Sequence, residues 1–157
     1  MAHRLDFILR CADQLRGNQE LHFLFVGDGA EKAGLLALAR ELRLENVTLL
    51  DPVPRAEAPK FLSLADASLI VLKKSDTFRA VIPSKIFEAA AMQCPILLGV
   101  DGEARSLVES YHAGVFFEPE NADAFCEAIK LLKGNQELCL QLKPGLARLA
   151  ADFNRDT

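Results

Sequence analysis

Short aliphatic runs alternate with longer amphipathic ones along this chain, and that alternation predicts its architecture. Arg4 to Arg16 sets Leu5, Ile8, Leu9, Ala12 and Leu15 on one stripe, the pattern of an amphipathic helix, and Gly17-Asn18 ends it. Leu21 to Val26 (LHFLFV) reads as a strand running into Gly27-Asp28-Gly29. Ala30 to Leu44 is a second helix, rich in Ala, Leu, Glu and Arg, and Val47 to Leu50 a second strand. After the loop Asp51-Pro52-Val53-Pro54, Arg55 to Leu64 is a short helix interrupted early by Pro59. Ala67 to Leu72 is an apolar run with the character of a buried parallel strand, followed by a polar, irregular stretch from Lys73 to Ile82. Pro83 sets φ for a first helical turn, Lys85 to Met92 continues it, and Pro95 stops it. Ile96 to Gly99 is the next strand. Asp101 to Ala104 turns into a helix that runs to about His112, and Gly114 to Phe117 is the last strand. Asn121 caps a helix from Ala122 to Lys133, with Gly134 as its stop. Residues 135 to about 152 form a final helical region, expected to break near Pro144-Gly145.

Five short strands alternating with helices imply an α/β fold: one Rossmann-like, open parallel sheet with right-handed crossovers and helices on both faces. Residues 1–157 read as a single domain, with no internal repeat, linker or low-complexity stretch. In such sheets ligands sit at the carboxyl edge of the strands. Here that edge should collect four loops: Gly27 to Gly29, Asp51 to Pro54, Lys73 to Lys85, and Gly99 to Ala104. A small-molecule site there is the functional expectation that the pattern alone supports.

Two features add candidate chemistry. Gly27-Asp28-Gly29 directly after a strand permits a tight turn with exposed amides, but it matches neither GxGxxG nor a Walker motif, and a plain turn into the next helix explains it as well. Lys85 and Glu88 stand three residues apart and so share one helix face at the amino end. A cation on that terminus, one turn before a carboxylate, suits a nucleotide, with diphosphate at the terminus and ribose hydroxyls on the Glu. A surface ion pair between the two is the plainer alternative.

Composition narrows the classes. Half of the 157 residues are hydrophobic and 25% are charged, the balance of an ordinary globular chain. A net charge of -4 and a pI near 5.4 argue against a nucleic-acid binder held by phosphate contacts. No apolar run approaches the ~18 residues of a membrane span, and the first residues carry charge throughout with no signal-peptide core, so a cytoplasmic setting is expected. Cys11, Cys94, Cys126 and Cys139 form no CxxC pair, and His3, His22 and His112 lack metal-ligand spacing. There is no GxSxG, and Asp76 and Asp101 are isolated rather than an Asp-x-Asp pair, so neither a catalytic triad nor a divalent ion is expected and no cofactor is called for.

Three segments, read in order, resemble a known family: FLFVGDGAEKAGLLALARELRLENVTLLDPVP, ADASLIVLKKSDTFRAVIPSKIFEAAAMQCPILLGVDGEARSLVE and AGVFFEPENADAFCEAIKLL. Together they look like the carboxyl-terminal, donor-binding half of a GT-B glycosyltransferase of group 1. This is the family four-type of retaining, nucleotide-sugar-dependent transferases that build lipopolysaccharide, capsule and related cell-surface glycans. The resemblance covers about Leu5 to Phe153. It implies that Glu88 holds the ribose hydroxyls and that Lys85 and Ser84 of IPSK face the diphosphate. The backbone near Val53 would meet the base, Gly27 to Gly29 would form part of the substrate edge, and the amides of Asp101, Gly102, Glu103 and Ala104 would lie near diphosphate and sugar. The donor implied is a UDP-sugar, a substrate rather than a cofactor, and the acceptor a glycan or lipid-linked sugar.

Two departures from the family pattern stand out. The first acid of its paired-glutamate motif falls on Ala80, and the family's first strand, with its diphosphate-binding loop, has no counterpart before Arg4. The resemblance therefore implies a fragment of a two-domain enzyme, inactive alone. Its missing partner would be an acceptor-binding domain, and the full enzyme could contact the inner face of the membrane peripherally. The alternative is a non-catalytic nucleotide-sugar-binding subunit whose acceptor half is on another chain. A phosphoreceiver switch lacks its acidic pair here, and an epimerase on the same framework would also need the missing half.

Overall fold

The computed structural model describes residues 5–27 and 32–153, which form two compact units, one up to Ala58 and one from Pro59 onward. The first unit contains helix α1 (Leu5–Gln14), strand β1 (Phe23–Val26), helix α2 (Lys32–Glu41), strand β2 (Val47–Leu50) and a 3-10 turn at Arg55–Glu57. Helix α1 buries Ile8, Leu9, Cys11 and Ala12, the stripe its spacing predicts, and Asp6 lies in its first turn, where the helix dipole favours an acid. Strands β1 and β2 pair in parallel, with Phe23 opposite Val47 and Val26 opposite Leu50. Along β1, Phe23 is buried and Phe25 half-buried, whereas Leu24 and Val26 are exposed, so one face of this ladder is covered and the other is not. Buried Asn46 ties β2 to α1 by donating its amide to the Ala12 carbonyl at 2.9 Å.

Helix α3 (Ala58–Leu64) starts at the unit boundary, and Pro59 falls in its first turn, where a missing N–H costs nothing. The second unit then holds β3 (Ser68–Val71), a 3-10 turn (Asp76–Ala80), α4 (Lys85–Ala91), β4 (Ile96–Gly99), α5 (Glu103–Tyr111), β5 (Gly114–Phe116), α6 (Ala122–Lys133) and α7 (Gln136–Asp152). Strand β4 is central, parallel to β3 on one side and β5 on the other. All four of its residues are buried, as a strand covered on both faces requires, and α4 and α6 both pack against it. Phe125 of α6, fully buried, meets the Phe117 ring edge-on at 5.1 Å.

The α/β class, the parallel pairing and the helical covering agree with the sequence. Three expectations are corrected. The single five-stranded sheet is instead two ladders, β1-β2 and β3-β4-β5, and among the described residues no strand bridges them. Within each ladder, neighbours in sequence are joined by a crossover helix, whereas β2 and β3 are linked only through a 3-10 turn and seven-residue α3. The stretch from Lys73 to Ile82 is not wholly irregular: Asp76–Ala80 forms a 3-10 turn, capped by Ser75, whose hydroxyl accepts the Thr77 N–H at 3.2 Å. Helix α7 does not break at Pro144-Gly145 but runs unbroken through both. Pro144 and Leu140 lie on its exposed side, where water can serve the carbonyl that proline leaves unpaired, while buried Leu142, Leu146 and Leu149 hold the inner side.

Candidate functional site

Parallel strands deliver their following loops to one edge, and in the second unit that edge holds a cleft of about 310 Å³. Lys73 and Lys74 follow β3, Asp76 and Arg79 stand on the 3-10 turn, Asp101 follows β4 and Glu118 follows β5. Ion pairs join these walls. The Lys74 ammonium meets Glu118 at 2.9 Å, and the Lys74 backbone N–H donates to the Glu120 carboxylate at 2.7 Å. The hydrogen bond from Lys74 to Glu118 is the main reason the ammonium's pKa is raised, with Coulombic attraction to the same carboxylate next.

Asp101 is the junction on the opposite side. One of its oxygens accepts the Gly102 N–H at 2.7 Å and lies 3.5 Å from Arg105, and the other lies 3.4 Å from Arg79. The Gly102 amide is the chief cause that holds this carboxyl below the usual range, aided by the two guanidinium groups against a desolvation cost. Arg105 also pairs with Glu109 at 2.9 Å and lies 4.0 Å from the centroid of the Phe116 ring, so the network reaches β5. Gly102 has φ +90° and ψ -135°, and a Cβ there would sit 2.1 Å from the Arg79 carbonyl oxygen. Only glycine lets the 3-10 turn approach this closely.

The residues singled out from sequence fall into separate places. Lys85 and Glu88 are the first and fourth residues of α4, and both side chains are exposed. No ion pair joins them, so the plain alternative allowed by their spacing is not realised. Ser84 caps nothing with its side chain, while its carbonyl accepts the Phe87 and Glu88 amides at 3.0 and 3.2 Å. Neither Ser84, Lys85 nor Glu88 lines the 310 Å³ cleft. Glu103 opens α5 and is exposed, whereas Ala104 is fully buried, backbone included, so it offers a ligand no surface.

The other candidates belong to the first unit. Gly27 ends β1 with φ +143° and donates its N–H to the Leu50 carbonyl at 3.2 Å, and Val53 is half-buried in the loop after β2. Asp28 and Gly29 lie outside the described residues. Lys32, the first residue of α2, pairs with Asp51 at 2.5 Å, and that hydrogen bond lowers the Asp51 pKa. The described parts of the four predicted loops thus fall as two pairs, one at the carboxyl end of each ladder.

Lys74, Arg79, Glu118 and Glu120 were not singled out in the sequence. The available signal was positional: charged residues immediately after a parallel strand arrive at the ligand edge. Among the described residues no group of three His, Cys, Asp or Glu could hold a metal ion, and no helix is long and apolar enough to cross a membrane. No disulfide joins the four cysteines, and burial pushes the Cys94 thiol up to about 11.

The family profile of glycosyl transferases group 1 matches residues 2–145. WcaI of Escherichia coli K12, described as a putative colanic acid biosynthesis glycosyl transferase, is 29% identical over 129 residues, 80% of this chain and 31% of that protein. The chain therefore spans under a third of this relative's length. Among solved structures, Anabaena HepE in complex with UDP superposes with a TM-score of 0.80 at 18% identity, over 96% of this chain and 41% of that one. WaaG, a glycosyltransferase involved in lipopolysaccharide biosynthesis, superposes with a TM-score of 0.74 at 18% identity, over 97% and 40%. Both structures share the α/β fold described above.

Proposed function

Because this chain belongs to the glycosyl transferases group 1 family, we propose that it is the donor-binding part of a retaining, family four-type hexosyltransferase. Its donor is a UDP-sugar, and its acceptor a growing cell-surface glycan or lipid-linked sugar. The observation that carries this reading is the family match over residues 2–145. The UDP complex of HepE supports the nucleotide, and the roles named for WcaI and WaaG support the acceptor class. The relatives are transferases, which gives no support to a non-catalytic subunit.

In the proposed reaction the bond between the anomeric carbon and the donor phosphate breaks. The bonding pair leaves with UDP, the sugar passes through an oxocarbenium-like state, and an acceptor hydroxyl forms the new glycosidic bond and gives its proton to the departing phosphate oxygen. The exposed Lys85 ammonium offsets charge developing on the departing diphosphate, and the Glu103 amide, where the Asp101–Ala104 segment opens α5, adds to this. The Glu88 carboxylate accepts the ribose hydroxyls, and backbone near Val53 meets the base. The acceptor site belongs to an additional domain, and the whole enzyme works in the cytoplasm, at or near the membrane's inner face.

Calorimetric titration of the purified protein with UDP tests the reading. The unmodified protein binds. Glu88→Gln weakens binding by about 1–3 kcal/mol, the worth of hydrogen bonds to a charged group. Lys85→Ala costs UDP far more than uridine, because only UDP carries the diphosphate. Absence of UDP binding by the unmodified protein, or equal loss for both ligands, would overturn the assignment.

A further inference from the structure

Helix α4 carries Lys85 and Glu88, and beyond Pro83, which sets φ at its start, little in its own sequence fixes its first turn. Seven residues are well below the ~12–15 a helix needs to stand alone in water. Ser84 provides no side-chain cap. On the inner side Ile86, Ala89 and Ala90 are buried, and two of those three are alanines with little shape to lock an orientation. Beyond its packing on β3 and β4, α4 is supported by α7, which reaches its first turn and the Gln93 backbone just past its last. At the far end the Lys143 ammonium donates to the Gln93 carbonyl at 3.3 Å. At the first turn the Phe153 ring, at the end of α7, lies 5.1 Å from the Phe87 ring with 38° between planes.

Phe153 is itself held. Tyr111, the last residue of α5, presents its ring edge to Phe153 at 6.2 Å, and its hydroxyl donates to Asp152 at 2.5 Å. Gly145 allows α7 this path, since a Cβ there would lie 1.9 Å from the Tyr111 carbonyl oxygen. Rings from α4, from the end of α5 and from the residue that caps α7 thus meet beside the turn that presents Glu88, whose neighbour in sequence is Phe87.

We propose that Phe153 is a positioning residue for nucleotide binding: its ring, wedged between Phe87 and Tyr111, seats the first turn of α4 and so sets where Lys85 and Glu88 point. The part concerning binding rests on the functional reading above, whereas the part concerning α4 does not. Phe153 is 45% exposed, so its loss should be felt at this corner rather than throughout the core.

The experiment compares the full-length protein with Phe153→Ala and Phe153→Tyr by hydrogen exchange and by UDP titration. In Phe153→Ala the amides of residues 86–89 exchange faster while those of 96–99 keep their protection, and UDP affinity falls roughly threefold or more, the scale of one aromatic pair. Phe153→Tyr restores both. The proposal is overturned if exchange at 86–89 is unchanged in Phe153→Ala, if it is already unprotected in the parent, or if the increase spreads equally to 96–99. Normal UDP affinity in Phe153→Ala refutes the positioning role. If the parent binds no UDP, the functional reading fails, and the exchange result still decides whether Phe153 seats α4.

Discussion

Gly102→Ala perturbs the contact on which the cleft most depends. At φ +90° and ψ -135° an L-residue is in a backbone region suited to glycine, and such strain costs about 1–3 kcal/mol. The added methyl would also stand 2.1 Å from the carbonyl oxygen of Arg79 and 2.7 Å from its carbonyl carbon, which are backbone atoms that cannot swing aside. Overpacking of this kind costs about 1–3 kcal/mol in its own right. Relief requires either that the Asp76–Ala80 turn retreat, stretching the 3.4 Å ion pair between Arg79 and Asp101, or that the loop rotate and release the Asp101 hydrogen bond to the Gly102 amide. The expected total is a loss of roughly 2–5 kcal/mol, less than the sum because one movement relieves both strains. Urea denaturation followed by circular dichroism measures it. Gly134→Ala serves as control, because Gly134 has φ -84° and its Cβ would meet the Lys130 carbonyl at 3.1 Å, a contact a small shift relieves. A Gly102→Ala variant within about 0.5 kcal/mol of the parent, the range of an ordinary surface change, would refute the close approach of the 3-10 turn to this loop.

Asp101→Asn keeps an acceptor for the Gly102 amide but removes the charge facing Arg79 and Arg105. Since the folded carboxyl has a lowered pKa, its stabilisation is complete above the unfolded value of about 3.9 and disappears as pH falls through the folded value. The parent should therefore exceed the variant at neutral pH and converge with it in acid, as thermal melts across pH would show; a constant difference contradicts the assignment. Cys94 is buried with a raised pKa, so a thiol reagent near neutral pH should label it only after denaturant is added, as peptide mass mapping will show. Phe125→Ala empties a fully buried ring site against Phe117 and should cost about 3–5 kcal/mol, whereas a loss under 1 kcal/mol on the same scale would place Phe125 outside the core.

Elements whose cause is local were legible in the amino-acid order. The α1 stripe, the Asn121 cap, whose side chain accepts the Ala124 amide at 3.0 Å, and the aliphatic β4 run each follow from spacing within a few residues. Strand periodicity and chain order also brought the loops after β3, β4 and β5 to one edge, and the ordered segments carried the family. Contacts between distant residues were decided by the tertiary structure. Leu142, Leu146 and Leu149 keep helical spacing across Pro144, but that this stripe outweighs the proline was decided by the packing that buries all three. The spacing of Lys85 and Glu88 allowed an ion pair that the fold leaves unmade. Conversely, Arg79 and Asp101 lie 22 positions apart and pair because a glycine without a Cβ admits the 3-10 turn. Sequence fixes which groups are available at each position, but side chains this far apart interact only after backbone packing has set their separation, so their pairing belongs to the tertiary structure.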